Sequence, residues 1–494
     1  MLTRLKVSGF KNLVDVDVRF GPFTCIAGAN GVGKSNLFDA IRFLSALADK
    51  PIIEAALTVR NEEARTADIR SLFHRVGERY ATRMEFEVEM IIPAEGVDDF
   101  GQPAKATITF LRYLIEFEFR DHDTQGTSGE LEIVKEELTH IRKGDAHKSL
   151  LFPHALKWRK SAVIGARHAP YFISTGPQSE GGAVIKLHQD GGSSGKPLQR
   201  LASKLPRTVL SAANAAESPT ALLARREMQS WRLLQLEPSA LRQPDRFTAN
   251  PHLSSDGSHL PATISRLAYS SNGSSVNGRV FAEIANRLAG LIEDIRELRV
   301  DRDDKRELLS IQILDAAGTW HPARALSDGT LRFLALAVIS LDPMSRGLLC
   351  LEEPENGIHP ERVPAILNLL QNISVDVSEE IGEANPMRQV IINTHSPSVV
   401  QQVPAESLLL ALPEECLQNK HRFSRLSFSC LSNTWRQTRG DNSDGLKAVA
   451  IGKLLAYLNP AGPIDSPRDS SKKRDRVVDR DEIRQYLLFE NETE

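Results

Sequence analysis

The residues best suited to chemistry in this chain lie in a glycine-rich loop, residues 28–35, with the spacing GxNGxGKS. Such a loop turns backbone N–H groups inward around the β- and γ-phosphates of a nucleoside triphosphate. Lys34 then supplies a point charge, and the Ser35 hydroxyl can ligate Mg²⁺. The alternative is a purely structural tight turn, which leaves the Gly-Lys-Ser spacing unexplained. We therefore predict an ATP site formed by Asn30, Gly31, Val32, Gly33, Lys34, Ser35 and Asn36.

Two carboxylates form a second candidate group, directly after the apolar run 348–351. Desolvating Glu352 and Glu353 at the end of a buried strand costs free energy unless a cation or a proton-transfer role compensates. We assign Glu352 to the metal, together with Ser35, and Glu353 to polarising the attacking water. The alternative, an acidic surface turn, is less consistent with the strand that precedes these residues.

Three further residues, farther along the chain, are candidates for the same nucleotide site. Ser327 and Gly329 precede an apolar helical run, where they form either an anion site or an ordinary helix N-cap. His395 comes shortly after residues 389–393, which read as another buried strand. A lone histidine at a strand end is often structural, but its place in this series of candidates favours a contact with the γ-phosphate.

The elements that must position these residues are strands and helices in alternation. Residues 23–27 read as a buried strand before the glycine-rich loop, and residues 36–44 read as a helix after it. The positive N-terminal end of that helix would face the phosphates. Between residues 84 and 134, alternating segments predict antiparallel strands with one wet face. The sequence therefore predicts an α/β fold with a mixed central sheet and an antiparallel β subdomain.

Composition gives few constraints on function. The 494 residues are 41% hydrophobic and 25% charged, and the net charge of -3 does not mark a strongly basic or acidic binder. Four scattered cysteines without CxxC spacing predict a reducing compartment and no zinc site. The N-terminus lacks a signal-peptide pattern, and the longest apolar run is too short for a bilayer. These features predict a cytoplasmic protein with no membrane contact.

We predict four segments along the chain. They are an N-terminal lobe (1–120), a partly helical and loop-rich insertion (121–278), a C-terminal lobe (279–412) and an extension (413–494). An apolar stripe at helical spacing from Val280 to Leu298 opens the C-terminal lobe. The insertion is the candidate surface for a partner or nucleic acid. Its basic excess between Lys196 and Arg246 is either a polyanion-binding face or a solvated helical surface.

The motifs GANGVGKS, LSDGT, LLCLEEPENGIHP and NTHSP, in this order, resemble the Walker A, signature, Walker B with D-loop, and switch-histidine motifs of ABC-type ATPases. Their particular forms, and the opening LKVSGFKN, resemble the RecF, SMC and OLD-like branch. The resemblance implies ATP and Mg²⁺ as ligands and heads that dimerise head to tail around two ATP molecules. It also implies that Ser327 and Gly329 act on the partner's nucleotide, Glu353 is the catalytic base, His395 is the switch, and residues 357–359 face the dimer.

Two departures from the branch affect this expectation. The family usually has Asp at the position of Glu352, and the extra methylene predicts slow hydrolysis. No Q-loop glutamine is assigned, since the first glutamine, Gln102, lies in a turn. OLD-type proteins also continue into a Toprim nuclease domain, whereas the residues after the histidine number under a hundred. We therefore expect any effector to be a separate polypeptide.

Three functions remain open from the sequence. The first is an ATPase whose ATP-driven dimerisation gates a partner effector, as in bacterial antiphage and abortive-infection systems that this chain resembles. The second is a RecF-like repair ATPase that acts directly on DNA, for which the basic stretch is the deciding feature. The third is an ATP-bound scaffold with negligible turnover, which the Glu352 departure supports.

Overall fold

A computed structural model describes residues 1–59, 69–120, 129–179, 182–190, 196–269, 278–289, 295–418, 420–437, 446–450 and 452. The strands in chain order are β1 (Leu2–Ser8), β2 (Val16–Arg19), β3 (Phe23–Ala27), β4 (Arg75–Val76), β5 (Arg79–Tyr80), β6 (Arg83–Ile91), β7 (Glu95–Val97), β8 (Pro103–Lys105), β9 (Phe110–Arg120), β10 (Glu130–His140), β11 (Tyr171–Ser179), β12 (Gly182–Leu187), β13 (Leu198–Leu201), β14 (Arg232–Leu234), β15 (Asp245–Arg246), β16 (Ile295–Asp303), β17 (Leu308–Asp315), β18 (Trp320–Pro322), β19 (Gly347–Glu352), β20 (Arg388–Thr394), β21 (Leu408–Gln418), β22 (His421–Cys430) and β23 (Lys447–Ala448).

The α-helices are α1 (Lys34–Leu47), α2 (Ile52–Thr58), α3 (Ala146–Ser149), α4 (Leu156–Ala162), α5 (Pro219–Gln229), α6 (Pro238–Leu241), α7 (Leu260–Ala268), α8 (Gly278–Ala289), α9 (Asp328–Leu341), α10 (Val363–Ile373) and α11 (Pro397–Gln402). Short 3-10 helices lie at Ile69–Leu72, Lys143–Asp145, Ala202–Lys204, Leu210–Ala212, Ala323–Ala325, Pro360–Arg362 and Ala405–Ser407. Among the described residues, no helix is both long and apolar enough to span a bilayer.

The central sheet is mixed, with the strand order β14-β19-β20-β3-β21-β22-β23. Strands β14, β19, β20, β3 and β21 are mutually parallel, whereas β22 runs antiparallel to β21. Strands β3 and β20 are buried along their whole length, as expected for parallel strands covered on both faces. Because Glu352 pairs with Asn393, and Thr394 with Ala27, the carboxyl ends of β19, β20 and β3 meet at one edge.

The second large sheet is antiparallel, with the order β13-β12-β11-β10-β9-β6-β1-β2. One apolar cluster joins it to the central sheet through α1. Phe43 of α1 lies 5.7 Å, ring centroid to centroid, from both Phe86 of β6 and Phe117 of β9. These contacts fix α1, and therefore the loop before it, between the two sheets.

Within the predicted insertion, residues 121–278, the structure contains strands as well as helices. Strands β10 to β13 lie within that range and extend the antiparallel sheet, so the sheet crosses the expected boundary at residue 120. Strand β10 continues the alternation of β9, with which it pairs over ten residues. The outer strand β13 is mostly exposed, so its sequence carries no apolar alternation that would have indicated a strand. The glycine- and serine-rich segment 191–195 lies outside the described residues.

Four arginines of the basic stretch between Lys196 and Arg246 form ion pairs or hydrogen bonds within the chain. Arg225 and Arg226 both pair with Asp99, at 2.9 and 2.8 Å, while Arg232 donates to the Ser345 hydroxyl at 2.7 Å. Arg242 pairs with Asp328 at 2.5 Å. Arg225, Arg226, Arg232 and Arg242 are therefore engaged within the chain, whereas Lys196, Arg200, Lys204, Arg207 and Arg246 are exposed.

A small sheet of β15, β16, β17 and β18 packs with α7, α8 and α9 against the opposite side of the central sheet. The apolar stripe predicted as one helix from Val280 to Leu298 divides here. Helix α8 supplies Ile284 and Leu288 to the core, whereas Leu298 belongs to strand β16. The intervening residues 290–294, which include Leu291 and Ile292, lie outside the described part of the chain.

Candidate active site

The glycine-rich loop joins the end of β3 to the start of α1. Gly31 and Gly33 adopt left-handed backbone conformations, with φ of 79° and 101°, and α1 begins at Lys34. The Lys34 Nζ donates to the carbonyl oxygens of Gly28 at 2.7 Å and Ala29 at 2.9 Å. The loop therefore curls around the ammonium group, while the unpaired N–H groups and the dipole at the start of α1 favour an anion beside it.

Asn12, in the turn after β1, holds this loop in place. Its Nδ2 donates to the Val32 carbonyl at 2.9 Å, and its Oδ1 accepts from Asn36 Nδ2 at 2.8 Å. A Cβ at Gly33 would lie 2.2 Å from Asn12 Nδ2, so the close approach requires glycine. In the sequence, Asn12 is notable only as the last residue of the segment LKVSGFKN. In the structure, its contacts with Val32 and Asn36 make it part of the candidate site.

The remaining loop residues present an open surface. Asn30, Gly31 and Ser35 are exposed, and a Cβ built at Gly31 would meet no atom within 4 Å. In contrast, a Cβ at Gly28 would lie 2.4 Å from the Ala411 carbonyl oxygen of β21. The base of the loop is therefore packed tightly against the sheet, while its rim is free to contact a ligand.

The two predicted acids lie at the carboxyl end of β19, where the chain makes a strained turn. Glu353 has φ of 45°, a left-handed conformation that costs of order 1 kcal/mol for a residue with a side chain. Its backbone N–H donates to Asn393 of β20, to the carbonyl oxygen at 3.0 Å and to Oδ1 at 3.2 Å. Asn393 Nδ2 also donates to Glu352 Oε1 at 3.4 Å. Asn393 therefore holds both acids against the edge of the sheet.

Glu353 and His395 contact each other directly. The distance between Glu353 Oε1 and His395 Nδ1 is 2.5 Å, and Glu353 Oε2 accepts from Asn356 Nδ2 at 2.8 Å. Burial pushes the pKa of Glu353 upward, but the hydrogen bonds from Asn356 and His395 outweigh it, so the pKa lies below its ordinary value. Glu353 is therefore ionised at neutral pH, which is the form in which a carboxylate can accept a proton.

The charges around the glycine-rich loop complement one another. Burial lowers the pKa of Lys34, and the carboxylates of Glu353, Glu352 and Glu355 oppose that shift by their negative charge. The structure thus brings together Lys34, Glu352, Glu353 and His395 from three strand ends. Glu355 is an additional carboxylate that the sequence argument did not assign.

Ser327 and Gly329 lie at the start of α9. Ser327 Oγ accepts from the Thr330 backbone N–H at 3.2 Å, so the N-cap alternative describes its role within this chain. A Cβ at Gly329 would lie 2.6 Å from the Gly357 carbonyl oxygen, which places the start of α9 against the turn that follows Glu353. Ser327 is exposed, and its predicted action on a partner's nucleotide stays a prediction.

Gln235 is a candidate site residue that sequence reasoning missed. It follows β14, which pairs in parallel with β19 and places Leu234 opposite Leu351. Gln235, Glu352 and Glu353 therefore line one cavity of about 200 Å³, together with Leu234, Leu236, Glu237, Arg332, Leu336, Leu351, Pro354 and Asn356. Gln102, the first glutamine in the chain, lies near the hairpin of β7 and β8 and does not line this cavity. The sequence feature that could have identified Gln235 is the short apolar run Leu233-Leu234 directly before it, which forms the end of β14.

The oxygen donors at this edge fit a hard cation held by nucleotide phosphates. Ser35 offers an exposed hydroxyl, Glu352 a half-buried carboxylate and Gln235 an exposed amide. Mg²⁺ prefers such oxygen ligands, together with water and phosphate oxygens. The assignment of Ser35 and Glu352 as metal ligands is consistent with these donor types and remains a prediction.

Two protein families match this chain. Residues 193–401 match the family described as "AAA domain, putative AbiEii toxin, Type IV TA system", and residues 4–148 match the family described as "AAA domain". The glycine-rich loop lies in the second region. Ser327, Glu353 and His395 lie in the first.

Curated relatives match only a short segment. The DNA replication and repair protein RecF from each of two strains of Porphyromonas gingivalis is 36% identical over 64 residues, which are 13% of this chain and 18% of the relative. The matched segment thus spans less than a fifth of the relatives' length.

Several solved structures of SMC head domains are also similar. The SMC head bound to the C-winged helix domain of ScpA has a TM-score of 0.46 at 15% identity, covering 87% of this chain and 98% of that one. For the head domain from Thermotoga maritima the TM-score is 0.37 at 13% identity, covering 87% and 99%. For the head derived from Pyrococcus furiosus with an extended coiled coil it is 0.40 at 12%, covering 87% and 96%.

Proposed function

We propose that this chain, a P-loop ATPase of the ABC, SMC and RecF-like class, hydrolyses ATP and uses the bound nucleotide to join two copies of itself. The observation that carries the proposal is the 2.5 Å contact between Glu353 and His395 at the sheet edge where the Lys34 loop begins. A base, an imidazole and a phosphate-binding ammonium group at one strand edge are the parts that phosphoryl transfer to water requires.

Binding begins with the glycine-rich loop. Lys34 would exchange its bonds to the Gly28 and Ala29 carbonyl oxygens for bonds to phosphate oxygens. The N–H groups at the start of α1 would hold the same phosphates. Mg²⁺, held by Ser35 and Glu352 when bound, would neutralise phosphate charge.

Hydrolysis would use Glu353 as the general base. Its carboxylate, kept ionised by Asn356 and His395, accepts a proton from the attacking water. His395 would fix the orientation of that carboxylate, and its exposed ring would contact the terminal phosphate. Loss of this phosphate would remove the contact, which is the basis of a switch.

Dimerisation would complete the site. Ser327 is exposed at the start of α9, where a helix N-terminus favours an anion, and its hydroxyl bonds within the chain to the backbone N–H and the hydroxyl of Thr330. In a twofold pair, each Ser327 and Gly329 would meet the nucleotide on the other copy. ATP then serves as fuel and as the bond between the heads.

The role we propose for this switch is control of a separate effector in antiphage defence. The description of the family matched by residues 193–401, which names a toxin and a toxin–antitoxin system, supports this role over housekeeping repair. The short RecF match supports direct action on DNA, but four arginines of the basic stretch are bonded to Asp99, Asp328 and Ser345 of the same chain. We therefore do not favour that alternative.

Measuring ATP turnover distinguishes an ATPase from the alternative of an ATP-bound scaffold with negligible turnover. We expect steady phosphate release from the wild-type protein with ATP and Mg²⁺, and none above background from Lys34→Ala or Glu353→Gln. Light scattering should give twice the monomer mass for Glu353→Gln with ATP and the monomer mass with ADP. Equal phosphate release by the wild type and Glu353→Gln would contradict the assignment of the base.

A further inference from the structure

Glu355 is a third carboxylate at the sheet edge, and its surroundings differ from those of Glu352 and Glu353. It is 9% exposed, and its Oε1 accepts a hydrogen bond from the Thr394 hydroxyl. Its Oε2 is buried and has no hydrogen-bond partner among the described residues. A buried carboxylate with one unsatisfied oxygen is costly, and an apolar side chain of similar volume would fill the space at lower cost. The position therefore calls for an explanation other than packing.

Thr394 connects this carboxylate to both other parts of the site. Its Oγ1 accepts from the Ser396 backbone N–H at 2.9 Å, so its hydroxyl proton is directed to Glu355. Its carbonyl oxygen accepts from the Gly28 N–H at 3.2 Å, at the base of the glycine-rich loop. The next residue is His395. A single hydrogen bond, donated by Thr394, thus joins Glu355 to a residue that contacts the glycine-rich loop and directly precedes His395.

The backbone of Glu355 shapes the turn after β19. Its carbonyl oxygen accepts from the Ile358 N–H at 3.0 Å, and the Asn356 N–H donates to the Glu353 carbonyl oxygen at 3.0 Å. Gly357, with φ of 78°, then meets Gly329 of α9. The turn from Glu353 to Ile358 therefore carries the catalytic carboxylate at one end and the contact with the start of α9 at the other.

We propose that Glu355 is a positioning residue that locks this turn to the end of β20, so that Glu353 and His395 hold their contact and the turn moves with the start of α9. The inference rests on the proposed ATPase function. Without the Glu355–Thr394 bond, the side-chain links between the turn and the end of β20 are the Glu353–His395 contact itself and the bonds of Asn393. A change at the start of α9 would then reach the end of β20 through those links alone.

The test compares truncation with conservative replacement at both ends of the bond. We expect Glu355→Ala and Thr394→Val each to lower kcat for phosphate release by about tenfold or more, with KM for ATP within about twofold. Glu355→Gln and Thr394→Ser keep an acceptor or a hydroxyl and should restore kcat to within about threefold. The Glu355→Ala, Thr394→Val double variant should be no slower than the slower single variant, because both remove the same bond.

A matched control is the hydrogen bond from the Tyr113 hydroxyl to the buried carboxylate of Glu136, at 3.1 Å, in the antiparallel sheet. Tyr113→Phe also removes a donor to a buried carboxylate, and it should lower thermal stability while kcat stays unchanged. A purely structural role for Glu355 would give the same pattern in Glu355→Ala. That pattern, or a Glu355→Gln variant as slow as Glu355→Ala, would overturn the inference.

A second readout separates this inference from the proposed function. Amide hydrogen exchange in residues 353–358 of the nucleotide-free protein should quicken at least tenfold in Glu355→Ala and Thr394→Val, and not in Glu355→Gln. Wild-type phosphate release no higher than that of Lys34→Ala would sink the ATPase proposal. Unchanged exchange in Glu355→Ala would sink the coupling, whatever the wild-type turnover is.

Discussion

Glu353 Oε1 and His395 Nδ1 lie 2.5 Å apart, although the two residues are 42 positions apart in the chain. Their contact follows from the pairing of β19 with β20, which places Glu352 opposite Asn393, and from the left-handed turn at Glu353 that redirects its side chain. The base and the switch proposed here therefore act as one unit.

The first prediction concerns that unit. Glu353→Gln and His395→Ala should each lower phosphate release by about a hundredfold or more, because each removes one half of a coupled pair. Their double variant should be within about tenfold of the slower single variant. Pre-steady-state phosphate release measures all three. Strictly multiplicative losses would show that the two residues act independently.

The second prediction concerns Asn12. Asn12→Ala removes the bonds to Val32 and Asn36 that fix the glycine-rich loop. ATP affinity should fall by about thirtyfold, since two hydrogen bonds of roughly 1 kcal/mol each hold the loop in its binding conformation. Titration calorimetry with the non-hydrolysable analogue AMPPNP measures this change. Asn250, which lies outside the site and bonds locally to His252, provides a control: Asn250→Ala should bind AMPPNP like the wild type.

The third prediction concerns Gln235. An amide that shares a cavity with Glu352 and Glu353 is placed to orient metal-bound or attacking water. Gln235→Ala should therefore lower kcat by about tenfold with little change in ATP binding. The matched control is Gln199→Ala, on the exposed strand β13 of the other sheet, for which kcat should not change. A wild-type kcat in Gln235→Ala would remove this residue from the site.

The fourth prediction concerns stability and pH. Glu136 is fully buried, and burial raises its pKa from 4.5 to about 7 despite donors from Val209, Leu210 and Tyr113. Because the folded state binds this proton more tightly than the unfolded state, the stabilisation is complete below pH 4.5 and is lost as pH rises through 7. The loss amounts to about 3 kcal/mol.

The measurement is the free energy of unfolding in urea across pH 5–8, for the wild type and Glu136→Gln. Subtracting the two curves removes the contribution of all other groups, and the wild-type advantage should shrink as pH rises. An advantage that instead grows with pH would mean that the three hydrogen bonds to the carboxylate outweigh its burial.

Most residues of the candidate site could be identified from the sequence because buried parallel strands have a distinctive pattern. The runs at 23–27, 348–351 and 389–393 are mostly apolar, and the structure buries them on both faces of one sheet. Parallel pairing then aligns their carboxyl ends, so Lys34, Glu352, Glu353 and His395 converge. The order of the motifs was therefore sufficient to place these four side chains at one edge.

Other elements of the fold could not be predicted from the sequence, for physical reasons. Strand β14 has only three residues, too few for any periodicity, and it is recognisable only because β19 lies beside it. Strand β13 is exposed and is held by backbone pairing with β12 rather than by an apolar face. The stripe from Val280 to Leu298 fits a helix by spacing, yet the last of its residues pair across to β17. Such tertiary pairing is not encoded in local spacing.

The central claim is that each nucleotide is enclosed by the glycine-rich loop of one copy and by Ser327 of another. The direct test mixes two inactive variants, Lys34→Ala and Ser327→Arg, and measures phosphate release. In a head-to-tail pair, the mixed dimer contains one site with an intact Lys34 and an intact Ser327. Half of the dimers in an equal mixture are mixed and have one of two sites intact, so we predict about a quarter of wild-type turnover. Turnover in the mixture no greater than that of the separate variants would contradict the shared site.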